Sequence, residues 1–224
     1  MLQNLYYLVF SIHIQCSGTT KAKFEFVSYP SKLLYHGRIY RNAKYLTEKY
    51  GVEITVTAAP GATSGLIAWN DRHAACSLGR AGIRKEKQEG DGATPMGIFP
   101  LRHLLYRPDR ISTPQTGLTT ITIEPNDGWC DDPSDPHYNQ PISLPSPVHH
   151  EALWRNDSLY DLVMVIGHND YPVIPGCGSA VFIHMGNPGL MPTEGCVGLT
   201  WHDLINLAGD CTPGDSLRIS ITAS

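Results

Sequence analysis

Two residues twelve positions apart could do nucleophilic chemistry in this 224-residue chain. His184 ends the run Val181-Phe182-Ile183-His184, and Cys196 stands in Thr193-Glu194-Gly195-Cys196-Val197. A cysteine is a strong nucleophile only as its thiolate, so it needs a base or a cation close by, and a histidine at a strand end offers one. Gly195 lets a substrate approach the backbone closely, and lets N–H groups turn toward an oxyanion as it develops. Two other readings compete. A buried cysteine commonly behaves as a small apolar side chain, and a zinc hydrolase would need His168, His184 and Cys196 to converge as ligands. The other cysteines, Cys16, Cys76, Cys130, Cys177 and Cys211, form no CxxC pair, which argues against a zinc ribbon or a thioredoxin-like site. Pairing of Cys130 with Cys177 stays open at this level.

Positioning such a pair calls for a β scaffold, and the chain from residue 52 onward has one. Val52, Ile54 and Val56 alternate with polar residues, as in a strand with one buried face. Further strands are expected at 66–69 and 74–78, joined as a hairpin through Asn70-Asp71, and at 119–123, 162–166, 180–184 and 217–222. A helix is expected over 201–207, with Thr200 as its cap and Asp203 in its first turn. The connection 124–159 carries six prolines and few strand signals, so it is a candidate lid or wall for a cleft. The fold expected from these signals is mainly β, with antiparallel or mixed sheets and few short helices.

Composition narrows the function. The chain is 42 % hydrophobic and 17 % charged with 21 Gly and 17 Pro, a globular and turn-rich profile. A net charge of −4 with no basic run gives no pull toward nucleic acid or an anionic membrane. Residues 1–51 read as an extension. Its apolar run 5–14 is too short to span a bilayer and lacks basic residues ahead of it, so it is a weak export signal, and 41–50 is its likeliest helix. No membrane span and a monomer are expected.

Four ordered elements resemble the L,D-transpeptidase catalytic domain, the YkuD family. They are the signature Ile183-His184-Met185-Gly186 with Thr193-Glu194-Gly195-Cys196-Val197-Gly198, then Gly90-Asp91-Gly92-Ala93-Thr94-Pro95-Met96-Gly97-Ile98-Phe99, then Gly128-Trp129-Cys130-Asp131-Asp132-Pro133 with Tyr138-Asn139, and Gly178-Ser179-Ala180-Val181-Phe182-Ile183-His184. The third and fourth of these look like the branch of that family with an inserted loop. The resemblance covers about 52–222, which would make 52–224 the catalytic domain, a β-sandwich-like fold with a cysteine in a cleft beneath a lid. It implies acyl transfer between peptidoglycan stem peptides, with Cys196 as nucleophile and His184 as base, the latter oriented by a backbone carbonyl. Backbone groups of Gly195, Cys196 and Val197 would hold the oxyanion, and His168, Trp129, Tyr138 and Asn139 would meet substrate. No cofactor and no metal are implied, and the site of action would be the periplasm or cell envelope. Stem-peptide carboxypeptidase activity and a non-catalytic wall-binding role are the competing functions. One departure stands out: many members carry Arg where this chain has Gly198.

Overall fold

Period-two alternation produces the first strands of the structure, a computed structural model that describes residues 51–222. In β1 (Glu53–Ala58), Ile54, Val56 and Ala58 are buried while their neighbours are not. β2 (Ser64–Trp69) and β3 (Arg72–Ser77) form the expected hairpin, with Asn70 at φ +49° in its turn. The apolar run 5–14 and the helix expected at 41–50 lie outside the described residues.

After β3 come β4 (Ile83–Arg84) and β5 (Thr94–Pro95), which pair with each other, then β6 (Gly97–Tyr106) and β7 (Thr120–Thr122). β8 (Asp127–Cys130), β9 (Pro141–Ser143) and β10 (His150–Ala152) follow, then β11 (Leu162–Ile166), β12 (Phe182–Met185), β13 (Val197–Leu199) and β14 (Ser216–Ile221). The main sheet has the order β11-β12-β13-β3-β2-β1-β14-β6-β7. It is mixed, since β1–β14, β12–β13 and β6–β7 are parallel and the other pairs antiparallel.

β6 closes the sheet on itself. Residues 97–100 of β6 pair with β14, and residues 101–106 pair with β11. The sandwich-like expectation is therefore realised as a sheet that meets itself through one long strand. That strand alternates exposed and buried residues over 98–102, and the alternation stops where Leu104, Leu105 and Tyr106 are buried in succession.

The core within this sheet includes Ile54, Ile67, Leu104, Met164, Ile183, Val197 and Leu217. The helix α1 (Trp201–Asp210) packs Leu204, Leu207 and Ala208 against it. Thr200 caps α1 as expected, its Oγ1 accepting from the Asp203 N–H at 3.2 Å.

The connection 124–159 is not structureless. It contains the three-stranded antiparallel sheet β10-β8-β9. Each of these strands has three or four residues, too short for alternation to register in the sequence.

Candidate active site

Register brings the two candidate side chains into one cleft. β12 and β13 run parallel, with Ile183 opposite Val197 and His184 opposite Gly198. Alternation sends Ile183 and Val197 into the main core, while Phe182 and Cys196 join a second cluster on the other side with Trp129 and Tyr160. His184 shares that face with Phe182, two residues along the same strand.

Cys196 is 8 % exposed and His184 is 5 % exposed. The Cys196 thiol donates to the Ala180 carbonyl at 3.2 Å, and its sulfur accepts from the Phe182 N–H at 3.3 Å. His184 Nδ1 donates to the Met185 carbonyl at 2.8 Å, which in the neutral ring makes Nε2 the basic nitrogen. Burial pushes the thiol up to about 12, helped by the nearby Glu151 carboxyl and opposed by the Phe182 N–H and Lys87. Burial also takes the imidazole down to about 4, against the Met185 hydrogen bond. At neutral pH the cleft thus holds a neutral thiol and a neutral imidazole.

Both line a cleft of about 500 Å³. The connection 124–159 supplies Asp131, Glu151, Arg155 and Leu159 to its wall, so that segment does form a side of the cleft. Lys87, Glu89 and Gly90 come from the segment between β4 and β5, and 192–196 contributes the edge that carries the cysteine. Lys87 and Asp91 form an ion pair at 2.6 Å with both side chains 7 % exposed. Burial raises the Asp91 pKa, yet the Lys87 hydrogen bond and the Gln88 and Ala93 N–H groups outweigh it and hold the carboxyl below its usual range.

Glycine at 195 is a steric requirement. Its φ is +142°, and a Cβ there would lie 2.9 Å from the Ala93 carbonyl oxygen. At Gly198 a Cβ would lie 2.3 Å from Ser77 Oγ, so the packing leaves no place for the arginine many family members carry. Ser77 is fully buried, and its Oγ has no hydrogen-bond partner.

Of the three expected oxyanion donors, the Gly195 N–H is held by Thr193 Oγ1 at 3.1 Å, and Val197 belongs to the β12–β13 ladder.

Trp129, Tyr138, Asn139 and His168 lie behind the cleft. Asn139 Oδ1 accepts from Trp129 Nε1 at 3.0 Å and from the Ala180 N–H at 3.1 Å. Its Nδ2 donates to the carbonyls of His168 and Asn169 at 3.0 and 2.8 Å. Tyr138 is 1 % exposed, donates to Glu89 and accepts from the Gly178 N–H. Trp129 packs edge-on against Phe182 with centroids 5.1 Å apart. His168 bonds the Cys177 carbonyl and is taken down to about 4 by burial. Trp129, Asn139 and His168 line a separate cavity of about 300 Å³. Asn139 thereby holds the N–H of Ala180, whose carbonyl accepts from the Cys196 thiol. Among the described residues no group of three His, Cys, Asp or Glu could hold a metal, so His168, His184 and Cys196 do not converge. Cys130 is a free, buried thiol.

Sequence reasoning missed Tyr160, Glu151 and Arg155. The Tyr160 ring meets His184 edge-on with centroids 5.2 Å apart, and its hydroxyl donates to Glu151 Oε1 at 2.6 Å. A tyrosine and two charges near the end of a proline-rich connection carry no periodic signal.

Residues 63–220 match the family model described as the L,D-transpeptidase catalytic domain, YkuD. Similar solved structures include L,D-transpeptidase 1 of Mycobacterium tuberculosis, 13 % identical over 76 % of this chain and 63 % of that one, with a TM-score of 0.33. An L,D-transpeptidase from Mycobacterium smegmatis is 14 % identical over 76 % and 59 %, with a TM-score of 0.34. L,D-transpeptidase 3 of Mycobacterium tuberculosis in complex with a faropenem-derived adduct is 14 % identical over 76 % and 61 %, also with a TM-score of 0.34. The matches span about three fifths of those chains. No curated protein matches this chain. Among the described residues no helix is long and apolar enough to cross a membrane.

Proposed function

The chain belongs to the YkuD family of L,D-transpeptidase catalytic domains, and from that premise we propose that it is a cysteine acyltransferase acting on peptidoglycan stem peptides. The observation that carries this reading is the sharing of one cleft by the Cys196 thiol and an imidazole whose Nδ1 is tied to the Met185 carbonyl. Residues 52–224 form the catalytic domain in this reading, within the branch that carries the Gly128–Pro133 loop. The substrate lies in the cell envelope, and the chain acts there without a cofactor.

His184 Nε2 takes the thiol proton as the sulfur attacks the carbonyl of the third, diamino-acid residue of a donor tetrapeptide. The carbonyl becomes a tetrahedral oxyanion beside the Cys196 N–H. It collapses to a thioester, breaking the bond to the terminal D-alanine, whose amine leaves with the proton returned from His184. An amine of a second stem then attacks the thioester and passes its proton to His184. The new amide forms, and the sulfur departs and is reprotonated.

Starting with a neutral pair suits this sequence. A thiolate formed only as the carbonyl arrives avoids placing a charge in a dry cleft before there is a partner for it.

The test is incubation of the full chain with a defined disaccharide-tetrapeptide and mass analysis of the products. Release of D-alanine with a cross-linked dimer supports transpeptidation. Release with a trimmed tripeptide alone assigns the carboxypeptidase reaction, in which water replaces the second amine. No release, together with retained binding to the cell wall in Cys196→Ala, overturns acyl transfer.

A further inference from the structure

A groove whose charges are already paired, but whose neutral polar groups and one aromatic face lack partners, suits an uncharged hydroxylated ligand better than an ionic one. Such a groove, of about 960 Å³, adjoins the cleft that holds Cys196. Leu159 and Asn187 line both spaces. The charged side chains along the groove are engaged. Arg110 donates to the Asp161 carboxyl at 2.7 Å and to the carbonyls of Arg155 and Asn156 at 3.1 and 3.0 Å. The Asp157 carboxyl accepts two bonds from Arg155, at 2.8 and 2.7 Å. What remains is neutral. Among the described residues, the amides of Asn156 and Asn187, the Ser158 hydroxyl and the Trp201 indole N–H have no hydrogen-bond partner, and all four residues line the groove. Trp201 opens α1 with 39 % of its surface exposed, whereas Trp69 and Trp129 are buried.

A pyranose ring has an apolar face of C–H bonds and a fringe of hydroxyl and acetamido groups. The face matches an exposed indole, and the fringe exchanges donors and acceptors with amides and hydroxyls. A stem peptide brings carboxylates and an ammonium, for which this groove has no free countercharge. Chain length is compatible with a sugar here. In the acyl-transfer reading, the stem whose third-residue carbonyl meets Cys196 is joined to its sugar through its first residue, and three extended residues reach about 10 Å. The five-residue step from Cys196 to Trp201 spans at most about 18 Å, so the sugars at the end of that stem come within reach of the indole.

We propose that this groove, with Trp201 as its platform, binds an N-acetylhexosamine ring of the glycan that carries the donor stem. This rests on the acyl-transfer reading and adds a sugar site outside the catalytic cleft.

The experiment measures binding by calorimetry on the full chain carrying Cys196→Ala, with two ligands: a disaccharide-tetrapeptide and the same tetrapeptide without sugars. D-alanine release from each is measured separately on the unaltered chain. The expected result is binding of the disaccharide form about tenfold tighter than the bare peptide. Adding Trp201→Ala brings the two ligands within about twofold without weakening the bare peptide, while Trp201→Tyr keeps part of the gain. Asn156→Ala, at an exposed position, lowers only the sugar-dependent part, by about threefold, and so keeps the test decisive even if Trp201→Ala fails to fold. Equal affinity for the two ligands, or a gain that survives Trp201→Ala, overturns the inference and leaves acyl transfer standing if D-alanine is released. Weaker binding of the bare peptide in Trp201→Ala assigns the groove to peptide and also overturns it. A sugar-dependent gain without any release supports the sugar site and overturns acyl transfer.

Discussion

A neutral resting thiol has a direct consequence for how Cys196 should react with a small alkylating agent. The perturbation is pH, followed by His184→Gln. With its pKa pushed up to about 12, Cys196 holds about one thiolate in 100,000 molecules at pH 7, against about 3 % for an ordinary thiol near 8.5. Iodoacetamide should therefore modify Cys196 roughly a thousandfold more slowly than an exposed cysteine peptide at pH 7, and about tenfold faster for each added pH unit up to pH 10. The assay is mass analysis of the Cys196 peptide across pH 5 to 10, which separates it from the other five cysteines. His184→Gln should leave this profile nearly unchanged, because the imidazole at about 4 holds no charge at neutral pH. The same change should lower acylation by a stem peptide about 100-fold to 10,000-fold, because the base needed during attack is gone. A flat plateau of fast alkylation between pH 5 and 8, abolished by His184→Gln, would refute this reasoning. It would show a thiolate and an imidazolium already formed in the empty cleft.

Three further outcomes follow from the same structure. A carbapenem, whose strained amide acylates thiols, should add its mass to the unaltered chain and leave Cys196→Ser unmodified in intact-mass measurements. Gly198→Arg should destabilise the fold by about 3 kcal/mol or more in chemical denaturation, because its Cβ would overlap the buried Ser77 Oγ, and pairing it with Ser77→Gly should recover part of the loss. His184 and His168 both have folded-state pKa values near 4, below the unfolded 6.5, so the native state binds fewer protons in between. Each then contributes about 3 kcal/mol that is fully present above pH 6.5 and lost as pH falls toward 4, so the melting temperature should drop across that window and drop less in His184→Gln.

Much of this molecule was legible along the chain. The strands at β1, β2, β3, β11 and β14 follow from alternation or from short apolar runs, and α1 follows from its cap at Thr200, because period and capping are local properties of neighbouring residues. Residue type and the glycine between Glu194 and Cys196 singled out Cys196 and His184 as candidates, and both line one cleft. Tertiary contact settled the rest. β6 loses its alternation at 104–106, where it is paired along both edges with consecutive residues buried, and the connection 124–159 reads as loop because its strands are shorter than one detectable period. Asn139, one of the residues expected to meet substrate, bonds the Ala180 N–H and lines a neighbouring cavity with Trp129 and His168, while Glu151, Arg155 and Tyr160 line the cleft that holds Cys196. The proton affinities of the thiol and the imidazole are likewise invisible in the linear order. Each depends on how much water is excluded and which charges come near, and those are set by segments that are distant in the chain and adjacent only in the folded protein.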